Sequence, residues 1–272
     1  MRILRLATVA LFTVTFLVFS VFFTVKKIGT DKTYPVIEIS EGVLEVDVNV
    51  TEEELLKGVT AFDKKDGDIS SDVVVESVSR FIKGTECVVT YAVSDSDNHV
   101  AKSTRNIRYK NYTPPEFVMS NSLVYSLGDT VNILGSVGAR DVIDGNISDK
   151  VVISATDYND NSEGVYSVSL QVMNSKGDAS YLDMPIYIEN ISLLAPKIEL
   201  SEYLIYVKKG QKADFNSYVS RISFQNGVAE DASLRISTDC NFDVPGTYSV
   251  HYYATRAEGH QGHTVLTVIV EE

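Results

Sequence analysis

The side chains with chemical potential gather in two closely similar decapeptides, AFDKKDGDIS at Ala61–Ser70 and ARDVIDGNIS at Ala139–Ser148, 78 residues apart. Asp63, Asp66 and Asp68 in the first answer to Asp141, Asp144 and Asn146 in the second. Oxygen ligands two or three apart around a glycine could hold a hard cation such as calcium. A plainer requirement accounts for the same residues: Asp or Asn before Gly is what a tight turn with positive φ needs. The turn is the favoured reading, because the third counterpart, Gln225-Asn226-Gly227-Val228, keeps the glycine and discards the carboxylates. Calcium at Asp63, Asp66, Asp68, Asp141 and Asp144 is the alternative, and no other cofactor is expected.

Other candidates are weaker. Glu258, His260 and His263 lie in a Gly-rich hairpin tip, where two imidazoles three apart beside a carboxylate could take a zinc or nickel ion, although such histidines are usually just solvated. Cys87 and Cys240 fall in different repeats and are read as free thiols, with Cys87 buried and inert. No Ser/His/Asp or Cys/His arrangement has suggestive local context, so no catalytic residue is assigned and an enzyme is not expected.

The elements that must position these residues repeat with them. Each copy begins on a proline, Pro35, Pro115 or Pro196, followed by a short strand at Val36–Ile39, Glu116–Met119 or Lys197–Leu200. Proline at a strand's first residue loses no ladder hydrogen bond. A Gly-containing turn and second strand are expected at Gly42–Val46, Leu127–Val131 and Lys209–Ala213. Thr51 followed by Glu52, Glu53 and Glu54 has the composition of a helix cap, but a solvated connection is preferred there. After each decapeptide comes an apolar run, then a period-two strand led by Gly84, Gly164 or Gly246. In the first repeat one extra residue after Gly84 is needed to turn Cys87, Val89, Tyr91 and Val93 inward. A final hairpin follows, with loops at Ser94–His99, Asn174–Asp178 and Glu258–His263, and closing strands at Asn106–Tyr109, Met184–Ile188 and Thr264–Val270.

The expected fold class is therefore all-β: three tandem immunoglobulin-like β-sandwiches behind an N-terminal transmembrane helix. The divisions are a signal anchor at residues 1–27, a linker at 28–34, and sandwiches at 35–110, 114–189 and 195–272, joined by short links that limit bending. Residues 6–25 carry no charge and at about 1.5 Å per residue are long enough to cross a bilayer. Arg2 and Arg5 on one side are matched by Lys26 and Lys27 on the other, so charge does not choose an orientation. Beyond that segment 20 basic residues face 37 acidic ones, a net charge of −17, which disfavours nucleic acid as a partner.

AFDKKDGDIS followed by KGTECVVTYAVSD at Lys83–Asp95 resembles the bacterial immunoglobulin-like repeat associated with pesticidal crystal proteins. The resemblance covers residues 35–110 and 114–189, and less closely 195–272, where the DGD core is gone. It implies an exported, cell-surface setting and no catalytic residues. The expectation is a single-pass cell-membrane protein with its C-terminal domains extracellular, a non-catalytic stalk or adhesion module for a protein or glycan ligand.

Overall fold

A computed structural model describes residues 2–29, 32–225, 227–229 and 232–272. The N-terminal helix, α1, runs Arg2–Gly29. Within it Arg5–Thr24 is long and apolar enough to cross a membrane, a test that a signal sequence also passes. The Thr13, Thr15 and Thr24 hydroxyls donate back to the carbonyls of Val9, Leu11 and Ser20 at 2.9, 2.6 and 2.7 Å. Their polarity is thereby satisfied within the helix, as a lipid setting demands.

The rest is strand, arranged as the same pair of sheets three times. In the first sandwich Val36–Ile39, Val59–Asp63 and Gly67–Asp68 form one sheet, and Leu44–Val46, Val100–Tyr109, Glu86–Ser94 and Val74–Val78 form the other in that spatial order. The second and third repeat this three-plus-four plan. In each, the short second strand lies parallel to the closing strand: Leu44 beside Ile107, Tyr187 beside Val124, Leu204 beside Thr267. Among the described residues all other strand pairings are antiparallel. Two stacked sheets so connected are an immunoglobulin-like sandwich.

Alternation drives the packing. On Glu86–Ser94 the inward set is Cys87, Val89, Tyr91 and Val93, all buried, as the extra residue after Gly84 requires. Val168, Leu170 and Val172, then Val250, Tyr252 and Ala254, occupy the same places in the other two cores. The buried Tyr91 hydroxyl donates to the Leu55 carbonyl at 2.7 Å, and Tyr252 repeats this toward Phe215 at 2.9 Å.

Two local expectations are corrected. Thr51–Leu55 is not a solvated connection: Glu52–Leu55 is a helical turn with a capping box between Thr51 and Glu54, and Leu55 is buried in the core. Ile133–Ser136, capped by Asn132, and Phe215–Tyr218, capped by Asp214, are its counterparts in the other two repeats. The second strands of the later repeats precede their glycines, at Val124–Ser126 and Leu204–Lys208. Gly128 at φ +86° and Gly210 at φ +81° terminate those strands in left-handed turns.

The chain divides into two compact units, Met1–Lys110 and Asn111–Glu272. Within the second, the two sandwiches interlock. Leu204 of the third joins the core of the second, Met119 of the second packs on the core of the third, and the Tyr206 hydroxyl accepts from the Phe117 N–H at 2.8 Å.

Candidate functional site

The aspartates of the decapeptides are folded into turns. In the first sandwich the Asp63 Oδ1 accepts from the N–H groups of Lys65 and Asp66 at 2.7 and 3.0 Å. The Asp68 Oδ1 accepts from the Ser70 N–H and hydroxyl, at 3.0 and 2.6 Å, and these two bonds hold its carboxyl below the ordinary aspartate value. Asp141 and Asn146 repeat both arrangements: Asp141 with Ile143 and Asp144, Asn146 with Ser148. Asp66 and Asp144 reach across to the final hairpin. Both oxygens of Asp66 take the N–H and hydroxyl of Ser96, each at 2.8 Å, and Asp144 takes those of Ser175 at 2.7 and 2.6 Å. Burial acts to raise the Asp144 carboxyl, but Ser175 and the Lys150 ammonium outweigh it and bring the value down.

The structure therefore spreads the predicted ligands instead of converging them. Asp63, Asp66 and Asp68 face different donors, as do Asp141 and Asp144. Among the described residues no group of three or more His, Cys, Asp or Glu side chains is arranged to hold a metal ion. Each decapeptide acts as a clip between the turn and the last hairpin of its own sandwich. In the third repeat Ser223 and Phe224 pair with Val228 and Gly227, so the turn persists with one residue fewer; Asn226 lies outside the described residues.

The deepest contact of each clip sits one layer below. Asp95, Asn174 and Arg256 open the three final hairpins in the same way, their N–H donating to the carbonyl of His99, Asp178 or His260. Asp63, Asp141 and Phe224 face them from equivalent turn positions, fixed by the bonds Ile69→Ala61, Ile147→Ala139 and Ala229→Ile222. The second sandwich pairs amide with carboxylate, Asn174 Nδ2 donating to Asp141 Oδ2 at 2.9 Å. The third pairs cation with ring, the Arg256 guanidinium lying 3.9 Å over the Phe224 ring. In the first, the equivalent positions are held by Asp63 and Asp95. Asp63 Oδ2 is buried and has no hydrogen-bond partner.

The histidines of the third hairpin also part company. His260 Nδ1 lies 3.2 Å from the Ser192 hydroxyl, whereas His263 turns inward with its side chain 3% exposed. Its Nδ1 donates to Glu189 Oε1 at 2.9 Å, and its Nε2 lies 3.0 Å from His251 Nδ1. The Tyr253 ring stacks on His263 at 4.5 Å and Tyr187 approaches both imidazoles edge-on. Burial and then the neighbouring His263 push the His251 pKa down, against the opposing charges of Asp239 and Glu189. This Glu-His-His chain joins the closing strand of the second sandwich to the outer sheet face of the third, and sequence reading missed it. A correct strand register was the available signal: Tyr253 pairs with His263, which puts His251, two residues away, on the same face.

Cys87 is buried and Cys240 half-buried, and neither is in a disulfide. Burial and then the Asp239 charge push the Cys240 thiol up, away from the reactive thiolate.

No protein-family profile matches the chain. It is 26% identical over 145 residues to an uncharacterized 81.3 kDa protein of Acholeplasma phage L2, covering 52% of this chain and 19% of that protein. It is 25% identical over 175 residues to pesticidal crystal protein Cry22Aa of Bacillus thuringiensis, covering 60% of this chain and 23% of that protein. The chain thus spans about a fifth of the length of these curated relatives. Similar solved structures include the protocadherin gammaB4 extracellular domain, at 13% identity over 89% of this chain and 50% of that one, with a TM-score of 0.22. Drosophila N-cadherin EC1-4 gives 14%, 89%, 68% and 0.26 for the same quantities. The CBM51-2 and INT domains of Clostridium perfringens ZmpB give 14%, 55%, 40% and 0.27. At such scores the likeness carries no weight, and the fold stands on the strand order described above.

Proposed function

We propose that the chain is a membrane-anchored bacterial surface protein of the tandem immunoglobulin-like repeat type, whose sandwiches form a non-catalytic stalk or adhesion module. The helix within residues 6–25 would be the single-pass anchor, with the C-terminal domains outside the cell, sandwiches at 35–110, 114–189 and 195–272, and an extracellular protein or glycan as ligand. The weak relationship to Cry22Aa supports the repeat type.

One observation carries the binding reading. In the first sandwich Val36–Ile39 pairs only with the strand Val59–Asp63 among the described residues, so its other edge is open to a further strand. Beside that edge Val36 and Phe62 pair with each other, both more than half exposed, over a shallow cleft of about 560 Å³ also lined by Glu38, Thr60, Asp68 and Ser70. An open edge next to exposed apolar side chains suits strand addition by an extended peptide. The polar side chains of the clips, by contrast, offer no converging acid, base and nucleophile.

Protease treatment of intact cells tests the location: external sandwiches are digested while a cytoplasmic control survives, and protection of residues 35–272 overturns the reading. Binding is tested by incubating the full-length protein with cell-surface extracts and glycan arrays. Phe62→Ser and an Ile37→Pro edge block should each abolish capture; capture unchanged in both removes this surface from consideration.

A further inference from the structure

Where the second and third sandwiches meet, they leave a cleft of about 270 Å³, along which lie Pro114, Pro115, Glu116, Tyr181, Tyr206 and Glu271. All six belong to the unit Asn111–Glu272. The chain that forms one wall is fixed at both ends. Tyr112, just before the two prolines, donates its hydroxyl to Asp178 Oδ2 at 2.7 Å and accepts from Asn174 Nδ2 at 2.8 Å. Just beyond them the Phe117 N–H is held by the Tyr206 hydroxyl. Proline fixes φ between those anchors, so the wall is set before anything enters.

The lining has a sign. Glu116 and Glu271 are exposed, and among the described residues neither side chain has an ion-pair or hydrogen-bond partner. Arg140 stands opposite Glu116 in strand register and Lys208 opposite Glu271, but neither forms an ion pair with them. Burial pushes the Tyr206 hydroxyl up, the Phe117 N–H opposes that, and the charges of Glu116 and Glu271 add to the rise. Both carboxylates therefore bear on the same phenol. Tyr181, 70% exposed, offers a second ring.

We propose that this cleft receives a cationic side chain, arginine above all, presented by a partner polypeptide. A guanidinium can stack on a tyrosine ring while donating to a carboxylate, which a compact ammonium does less well. A neutral sugar could use the rings but would leave both charges uncompensated. A cleft of this size takes one long side chain, so the partner need present only one such residue, with its backbone outside. This surface is separate from the open strand edge of the first sandwich, and it can bind whether or not that edge does.

The test uses the full-length chain in neutral detergent micelles and two probes, labelled hexaarginine and labelled chitohexaose, read by fluorescence anisotropy at about 0.15 M salt. Saturable hexaarginine binding is expected, with slower hydrogen exchange at residues 113–117 and 204–206. Glu116→Gln/Glu271→Gln should weaken it about tenfold, and Tyr181→Ser about threefold. These three side chains are exposed, so the variants keep the fold. The same charge loss at two exposed carboxylates of the first sandwich, Glu41→Gln/Glu53→Gln, should change binding less than about twofold, and so should Ile37→Pro. Equal weakening by the cleft pair and the control pair would mean diffuse attraction to an acidic surface, and it overturns the proposal. Chitohexaose binding that Tyr181→Ser removes, with hexaarginine binding unchanged, overturns it in favour of a glycan.

Discussion

The first and second sandwiches share a turn, a hairpin loop and the backbone bonds that close them, yet differ inside the clip. Asn174 offers a nitrogen to Asp141, whereas the first sandwich has Asp95 at the equivalent position and leaves Asp63 Oδ2 without a hydrogen-bond partner. The backbone does not register the change: both loops close with the same N–H to carbonyl bond, 3.1 Å in one and 3.0 Å in the other. A clip can therefore keep its backbone geometry while the side-chain pairing inside it changes. The third sandwich shows that the geometry survives even without a carboxylate, with Phe224 and Arg256 in the two places.

The sharpest break in this comparison comes from removing the aspartate itself. Asp141→Ala strands the Asn174 amide and the Ile143 and Asp144 N–H groups, and should cost about 3 kcal/mol, read from the unfolding of the unit Asn111–Glu272 in denaturant. Asp63→Asn should cost far less. Its Oδ2 has no hydrogen-bond partner to lose, so the first sandwich should melt at the same temperature or higher, whereas Asp141→Asn, which sets a second donor against the Asn174 amide, should melt lower. Equal losses in both would mean that the two clips do not differ in the way described.

Smaller effects sharpen the comparison with the third sandwich. Arg256→Ala removes the stack on Phe224 and should cost about 1 kcal/mol by the same denaturant measurement. Thr51→Ala, which breaks the capping box of the first sandwich, should also cost about 1 kcal/mol, seen as faster exchange at Glu54 and Leu55. The smallest expected effect is a pH dependence confined to the third sandwich. Folding lowers the His251 pKa, so the unfolded chain takes up the proton more readily. The contribution of His251 to stability is thus complete above the unfolded value near 6.5 and is lost as pH falls below it. His251→Phe should flatten the acid limb of the melting curve, and an unchanged limb would remove His251 as its source.

Much of the fold was legible in the residues. The prolines mark the first strands to the residue, and the alternation around Val168 and Val250 names the core side chains before any packing is seen. The helical turns were less legible because four residues carry little periodicity. Their existence depends on Leu55, Ile133 and their caps finding a core to enter. The second strands were misplaced for a related reason: Leu204–Lys208 is defined by parallel pairing to residues more than sixty positions away, and no local pattern encodes that partner.

Composition and spacing alone determined that this chain carries an apolar helix and repeated, alternating strands, because period and turn chemistry act between near neighbours along the backbone. Which aspartates end up opposite which partners was decided only by the folded pairing of sheets. Asp63 and Asp95 lie 32 positions apart in sequence. Nothing between them states that both will be buried at matching positions of one clip, since that arrangement exists only once both loops have closed over a common core.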